Sequence, residues 1–238
     1  MRTNRQEASG TQRTPLSRDR VLRAAVALAD AIGIDALSMR RLAQELDVVP
    51  MALYKHVANK EELLDGMVDA VVGEVDPPAT GPDWQPVVRG RILSARRVLL
   101  RHPWAARVIE SRTAPTPAVL AYLDSMAGIF REGGLSADLT HHVMHAMGSR
   151  LLGFSQELFD TSGPSGPPDP ALAAHYPHIA ELAATAAHDE ASTVGGSGSG
   201  SGSGGGGGCD DQFEFEFALD LLLDGFEGLR RRGWTSSR

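Results

Sequence analysis

The chain has 238 residues, of which 42% are hydrophobic and 5% aromatic, and its formal net charge is -7. That length allows one large domain, or a small domain beside a larger one, and it is sufficient to bury a core. Its single cysteine, Cys209, excludes an internal disulfide and is typical of a reducing cytoplasm. No apolar run approaches the roughly 20 residues of a membrane span, and the polar N-terminus predicts no signal peptide.

The charge is unevenly distributed along the chain. Residues 1–60 carry ten Lys and Arg against six Asp and Glu, a balance of +4, so the remainder of the chain carries -11. A basic portion ahead of an acidic body indicates that one end meets a polyanion. Chance clustering would explain so small an excess equally well, so this interpretation depends on the motifs.

The first elements are predicted to be a flexible basic arm, residues 1–16, and then two helices. Ser17 is a plausible N-cap for the first helix, and Gly33 is well placed to end it. Ser38 begins the second helix. Apolar residues recur at helical spacing in the first helix: Val21, Leu22, Ala25, Leu28, Ala29 and Ile32.

The segment "DVVPMALYKHVANKEELL" predicts a turn and two further helices, the first of them about two turns long. Pro50 restarts a helix where its missing N–H does no harm, and Leu53 and Val57, four residues apart, are predicted to pack inward. Asn59 caps the next helix, and Glu62 completes a capping box. That helix ends at "DPPATGP".

The remainder of the chain reads as further helices, so the predicted fold class is all-α. The predicted helices include a long one over residues 136–160, a weaker one over 171–191 and an apolar terminal one over 212–231. "FEFEF" alternates like a strand, but it is better interpreted as the start of the terminal helix, because no second strand pairs with it. Residues 195–208, "GGSGSGSGSGGGGG", are predicted to be a flexible tract.

Short helices separated by "DVV" predict a helix-turn-helix. The turn needs a left-handed residue, and Asp47 is among the few non-glycine residues that tolerate that conformation. The outer face of the third helix would then enter the major groove. Met51 and Ala52 suit thymine methyl groups, whereas the residues that suit phosphates are Tyr54, Lys55, His56 and Lys60. The alternative is that these are solvated side chains on a small helical hairpin.

Residues 17–64 resemble the DNA-binding domain of the TetR family of bacterial transcriptional regulators. The resemblance lies in "GIDALSMRRLA", "ALYKHV" and "NKEELL", with Asp47 at the family's usual turn glycine. It implies a DNA-binding domain over 17–63 and a ligand-binding and dimerisation domain over 64–238. The implied operator contacts are Arg40, Met51, Ala52, Tyr54, His56 and Lys60, and the predicted DNA-binding set adds Ser38 and Lys55.

"DW…LLRHPW", "GGLS" and "FEFALDLLLDGFEGL" extend this resemblance to the branch that contains the tetracycline repressor. It implies a homodimer formed through the helices near 136–160 and 212–231, and a small-molecule effector. The effector-binding positions it implies are Arg91, Ile109, Met126 and Met144. "VVGEVDPP" and "AARVIESR" lack the histidines that hold a tetracycline–magnesium chelate in such repressors, so we expect neither tetracycline nor magnesium.

Three functions are weighed on these patterns. The leading hypothesis is a cytoplasmic, ligand-responsive repressor that binds a palindromic operator as a homodimer and is released by its effector. The alternative is a DNA-binding regulator controlled by a protein partner. An enzyme is disfavoured because no nucleophile–base pair, phosphate loop or metal cluster is evident. His141 and His145 have a spacing that can ligate zinc, but further ligands are missing, so no metal or cofactor is predicted.

Overall fold

The structure is a computed structural model that describes residues 15–152, 174–178, 181 and 211–236. No strand occurs within these ranges, and the predicted all-α fold is confirmed. None of the described helices is long and apolar enough to cross a membrane. The helices are α1 Arg18–Ile32, a 3-10 helix Ile34–Ala36, α2 Met39–Glu45, α3 Pro50–Leu53, α4 Lys60–Val72, α5 Trp84–Arg101, α6 Trp104–Ser111, α7 Pro117–Glu132, α8 Ala137–Leu152 and α9 Asp211–Arg231.

The predicted caps fix the starts of α1, α2 and α4. The hydroxyl of Ser17 accepts from the amide of Arg20 at 3.2 Å, and the hydroxyl of Ser38 accepts from the amide of Arg41 at 3.2 Å. Asn59 accepts from the amide of Glu62 at 2.8 Å. Each cap satisfies an amide that the first turn of a helix leaves without an intrahelical partner.

One predicted helix differs in length from the helix observed. α3 is a single turn, because the amides of Lys55 and His56 reach back three residues, to Ala52 and Leu53, and the chain tightens after Leu53. α8 is described only as far as Leu152, so the predicted end at residue 160 lies outside the described residues. The predicted arm over 1–16 lies almost entirely outside them, as does the helix over 171–191, and the 195–208 tract lies wholly outside.

The chain divides into two compact units, residues 1–135 and 136–238. In the first unit, one hydrophobic cluster joins buried side chains of α1–α4 to Val98, Trp104, Ala105 and Val108 of α5 and α6. α4 packs against α1, α5, α6 and α7, so it belongs to the helix-turn-helix core and to the helices beyond it. The predicted domain boundary at 63/64 falls inside α4, and it stays a prediction.

Gly66 permits the close packing of α1 on α4. A Cβ at this position would lie 2.7 Å from Cδ2 of Leu22, which is closer than real Cβ contacts. The next residue, Met67, is fully buried, and α4 packs on α1.

In the second unit, α8 packs on α9. The carboxylate of Asp138, in the first turn of α8, accepts from the amide and the hydroxyl of Ser236 at 2.5 and 2.7 Å. These bonds hold the pKa of Asp138 below its usual value. On α9, Leu219 and Leu223 are buried, whereas the opposite face exposes Phe213, Phe217 and Leu221.

Candidate nucleic-acid interface and effector site

The turn between α2 and α3 has the geometry of a helix-turn-helix. Asp47 adopts the predicted left-handed conformation, with φ 52°. The following residue, Val48, donates its amide to the carbonyl of Ala43 at 2.9 Å, which closes the end of α2. α2 and α3 are therefore packed together across a fixed corner.

Buried anchors set the orientation of α3. Leu53 and Val57 are 0% and 1% exposed, so the predicted inward face is confirmed. The opposite face leaves Met51 70% exposed and Tyr54 44% exposed. Val49, immediately before the helix, is 68% exposed and was not singled out from the sequence. The signal was its place between the turn and Pro50, where an apolar side chain has no helix to pack against.

The remaining predicted DNA-binding residues lie around this apolar face. Lys55 and Lys60 are exposed, and Ala52 and His56 are half-buried. Arg40 is exposed in the first turn of α2. All of them lie on α2, α3, the turn that follows α3 or the first residue of α4.

The basic side chains of this surface have no carboxylate partner in the part of the chain that the structure describes. These unpaired side chains are Arg40, Arg41, Lys55 and Lys60. Arginines further along the first unit are neutralised instead, among them Arg97 by Asp76 at 2.7 Å and Arg107 by Asp35 at 2.7 Å. The unpaired positive charge therefore lies on the same surface as the exposed apolar side chains.

A partly buried polar cluster joins α1 to α6. Asp30, near the end of α1, accepts from Nδ1 of His102 at 2.9 Å and from Nε1 of Trp104 at 2.7 Å. The predicted landmark "RHPW" thus marks a junction between the first helix and the later helices. Burial makes such bonds costly to leave unmade, so they favour one fixed relation of α6 to α1.

Arg112, directly after α6, makes the corresponding junction with α4. Its Nη1 lies 2.6 Å from Oε2 of Glu61 and 3.2 Å from Oδ1 of Asp65, and its side chain is only 14% exposed. One turn further along α4, Asp69 accepts from the amide of Ala118 at 3.0 Å. The segment between α6 and α7 is therefore fastened along one face of α4.

The four predicted effector residues are distributed over four helices. Met126 of α7 is buried, and Arg91 of α5 is half-buried. Ile109 packs against the hydrophobic cluster of the first unit. Met144 is half-buried on α8, in the second unit. None of them lines the surface groove of about 460 Å³ beside Asp76. In that groove Arg97 forms an ion pair with Asp76, and Arg101 forms one with Glu74.

Tyr122 was not singled out from the sequence, although it contacts a predicted effector residue. The Arg91 guanidinium carbon lies 4.9 Å from the centre of the Tyr122 ring. Burial raises the pKa of Tyr122 to about 12, although the nearby Arg91 charge opposes this shift. Its position one helical turn before Met126 was the available signal, because residues four apart share a helix face.

The histidines of α8 form an aromatic cluster. The ring centres of His141 and His145 are 4.7 Å apart and nearly perpendicular, and His142 lies against Trp234 at 5.4 Å. In the part of the chain that the structure describes, no three His, Cys, Asp or Glu side chains are placed to hold a metal ion.

Two sequence families match this helix-turn-helix and the helices behind it. The bacterial regulatory proteins of the tetR family match residues 21–67, and the tetracyclin repressor-like C-terminal domain matches residues 77–194. The chain belongs to the TetR family of transcriptional regulators, in the branch with a tetracycline-repressor-like C-terminal domain.

An HTH-type transcriptional regulator of Saccharopolyspora erythraea is 41% identical over 118 residues, which are 49% of this chain and 50% of that protein. The alignment thus spans about half the length of that relative. A possible TetR family transcriptional regulator from Streptomyces coelicolor A3(2) has a TM-score of 0.67 at 30% identity, with 90% and 100% of the two chains covered. ActR of Streptomyces coelicolor, solved in complex with actinorhodin, has a TM-score of 0.59 at 27% identity, with 90% and 98% covered.

Proposed function

We propose that this protein is a ligand-responsive transcriptional repressor that binds a palindromic operator as a homodimer in the bacterial cytoplasm. The observation that carries the proposal is the surface around α3, where unpaired cations surround an exposed apolar helix face. We call this surface, formed by α2, α3 and the start of α4, the reading surface. Membership of a family of transcriptional regulators supports the same conclusion.

The two kinds of side chain on this surface divide the work of recognition. Met51 and Ala52 face outward at the start of α3, where a helix inserted in the major groove meets thymine methyl groups. Lys55 and Lys60 suit phosphates on either side of the groove, and neither forms an ion pair with a carboxylate among the described residues. Arg40 approaches the DNA from α2, and Ser38, Tyr54 and His56 supply further polar contacts.

A homodimer supplies a second reading surface. One short helix neutralises few phosphates and reads few bases, so two half-sites raise both affinity and specificity. The exposed stripe Phe213, Phe217 and Leu221 on α9 offers an apolar face at helical spacing to a second copy of the chain. Covering that stripe would pair α8 and α9 with their symmetry mates.

An effector would act by favouring a conformation in which the spacing of the two reading surfaces no longer matches the two half-sites of the operator. The junctions at His102 and Arg112 connect α6 to α1 and α4, so a displacement of α6 would reach the reading surface through them. The complex of the similar ActR with actinorhodin supports a small-molecule effector here too.

A band shift with the region upstream of the protein's own gene tests this function. We expect a shifted band at low salt whose affinity falls as salt increases, because binding releases counterions from the DNA. Failure to shift that region or any divergent neighbouring promoter would count against DNA-binding regulation. If the band shifts but no metabolite stabilises the protein to heat, control by a protein partner is favoured.

Two variants test the assignment of roles within the reading surface. Lys60→Gln should weaken binding to every sequence by a similar factor and reduce the salt slope by about one. Met51→Ala should change base preference instead. Arg107→Gln is the matched control for Lys60→Gln, because that arginine lies on α6 and already pairs with Asp35. If Lys60→Gln and Met51→Ala have the same effect on all sequences, the docking of α3 is wrong.

A further inference from the structure

Arg91 of α5 and Tyr122 of α7 form a pair of hydrogen-bond donors without acceptors. Nε of Arg91 and the hydroxyl of Tyr122 are both buried, and neither has a hydrogen-bond partner. Most buried polar side-chain atoms in folded proteins do have one. The two side chains touch through the Arg91 guanidinium and the Tyr122 ring, so their unpaired donors form a candidate site for an acceptor that the protein itself does not provide.

The orientation of the pair is already fixed. Nη1 of Arg91 donates to the carbonyl of Asp76 at 2.7 Å, and the guanidinium lies over the Tyr122 ring at 4.9 Å. The first contact uses one end of the guanidinium, so the edge formed by Nε and Nη2 remains for another acceptor. That edge presents two parallel N–H groups, whose spacing matches the two oxygens of a carboxylate.

Both groups demand the same chemistry from a partner. A guanidinium has donors only and stays charged at all ordinary pH values. The hydroxyl of Tyr122 is protonated near neutral pH, as an ordinary phenol is, and burial raises its pKa further, to about 12. A partner must therefore supply acceptor oxygens, and a negative charge on it would be balanced by Arg91.

The side chains beyond the pair are apolar. Met126, one turn further along α7, is 2% exposed, and Phe130, one turn beyond it, is fully buried. Phe130 makes an edge-to-face contact with Trp84 of α5, with ring centres 5.5 Å apart. The donor pair thus lies at one end of an apolar seam between α5 and α7, and methionine suits such a seam to ligands of variable shape.

We propose that the effector is a hydrophobic organic acid, whose carboxylate or acidic phenolic oxygens bind Arg91 and Tyr122 while its apolar body lies along α7 towards Met126. This inference rests on the proposed ligand response and adds the chemical class of the ligand. It also makes Tyr122 a binding residue. If the pair had only a structural role, removal of the Tyr122 hydroxyl would destabilise the folded protein.

The first experiment removes that hydroxyl without any ligand. Tyr122→Phe should melt at the same temperature as the wild-type protein or slightly higher, because a hydroxyl without a partner contributes nothing to the fold. A clear loss of thermal stability would show that the hydroxyl has a structural partner, and it would overturn the proposal.

The second experiment measures binding with three defined acids, naphthalene-2-carboxylate, anthracene-2-carboxylate and 9,10-anthraquinone-2-carboxylate, each beside its methyl ester. At least one acid should raise the melting temperature of the full-length protein well above the effect of its ester. Arg91→Met should weaken that binding by at least about tenfold and Tyr122→Phe by several-fold, as expected for charged and neutral hydrogen bonds. Arg91→Lys, which keeps the charge but loses the planar edge, should bind with intermediate affinity.

Arg97→Met is the matched control, because Arg97 lies on the same helix and bonds the side chain of Asp76. It should bind the acid as the wild type does. The proposal is overturned if esters bind as well as acids, if no acid binds, or if Arg91→Met and Arg97→Met bind alike.

A band shift with the same proteins separates this inference from the proposed function. All of these variants should bind the operator normally without acid, and acid should release only the proteins that bind it. If acid binding depends on Arg91 and Tyr122 but DNA is never bound or released, the site stands and the repressor function fails. If DNA is bound but the acids do not distinguish the variants, the site fails and DNA-binding regulation stands.

Discussion

The surface around α3 and the seam between α5 and α7 both contain polar groups without partners, but they differ in exposure. On α3 the unpaired groups are exposed cations beside the exposed Met51, and solvent satisfies them at little cost. In the seam the unpaired atoms of Arg91 and Tyr122 are buried, where water cannot satisfy them. The first arrangement suits a large polyanion that covers a surface, and the second suits a small molecule that fits between helices.

The same comparison explains the roles of the remaining charges. Arg112 and His102 are also largely buried, and Nε of Arg112 also has no partner, but Nη1 of Arg112 and the His102 ring meet carboxylates on α4 and α1. These contacts hold α4 and α1 against the segments that flank α6.

The largest effect expected on the reading surface comes from its buried anchor. Leu53→Ala should lower the free energy of unfolding by about 2–5 kcal/mol, because Leu53 is fully buried and its truncation leaves a cavity. Met51→Ala, two residues away but 70% exposed, is the matched control and should change stability by less than about 0.5 kcal/mol. Urea unfolding of both variants measures the difference, and equal losses would mean that α3 is turned the other way.

The next effect concerns the seam and appears only in alkaline solution. The folded pKa of Tyr122 is raised above its unfolded value of 10.0 to about 12, so its ionisation costs no stability below pH 10 and lowers stability as pH rises through 12. That loss should approach about 2–3 kcal/mol at pH 12. Tyr122→Phe should lack it.

Urea unfolding at pH 7 and at several values from pH 10 to 12 measures this prediction, with Tyr54→Phe as the control for the general effect of alkali. Tyr54→Phe is the same substitution at a side chain that is 44% exposed. Parallel curves for the wild type and Tyr122→Phe would show that the phenol is not buried in the folded protein.

A smaller effect is expected at the junction of α6 and α4. Arg112→Met should cost about 1–3 kcal/mol, because it leaves Glu61 and Asp65 without the guanidinium that joins them. Arg107→Met, in an ion pair whose side chains are 62% and 86% exposed, should cost less than about 1 kcal/mol. Thermal unfolding distinguishes the two, and a cost at Arg107 equal to that at Arg112 would contradict the role of burial.

The smallest effect is expected at the turn. Asp47→Gly should raise stability by no more than about 1 kcal/mol, because φ is 52° and glycine adopts that conformation freely. Asp47→Val should lower stability, since a β-branched residue is strained there. If both variants lower stability equally, the side chain of Asp47 matters more than its backbone.

Local signals in the sequence predicted the helix-turn-helix in detail. Caps at Ser17, Ser38 and Asn59, the restart at Pro50 and the left-handed Asp47 all depend on residues within a few positions of one another. Such local constraints can be predicted from neighbouring residues without knowledge of the rest of the fold. The length of α3 was overestimated, because its last residues are governed by the tighter backbone that leads to α4.

The seam was only partly predictable. Arg91 and Met126 were named through resemblance, but Tyr122 was missed, because what matters about it is the absence of a partner in three dimensions. No pattern in "PAVLAYLDSMAGIF" distinguishes a satisfied hydroxyl from an unsatisfied one.

The sequence by itself determined the all-α class, the caps and the side chains available to meet DNA, since periodicity, capping and turn chemistry act over a few residues. Only the tertiary structure decided which charges are neutralised and which polar atoms remain alone. Arg107 and Lys60 look equally free in the sequence, yet Arg107 meets Asp35, 72 residues away, whereas Lys60 meets no carboxylate among the described residues. Pairing over such separations depends on how helices pack, and packing is a property of the whole fold.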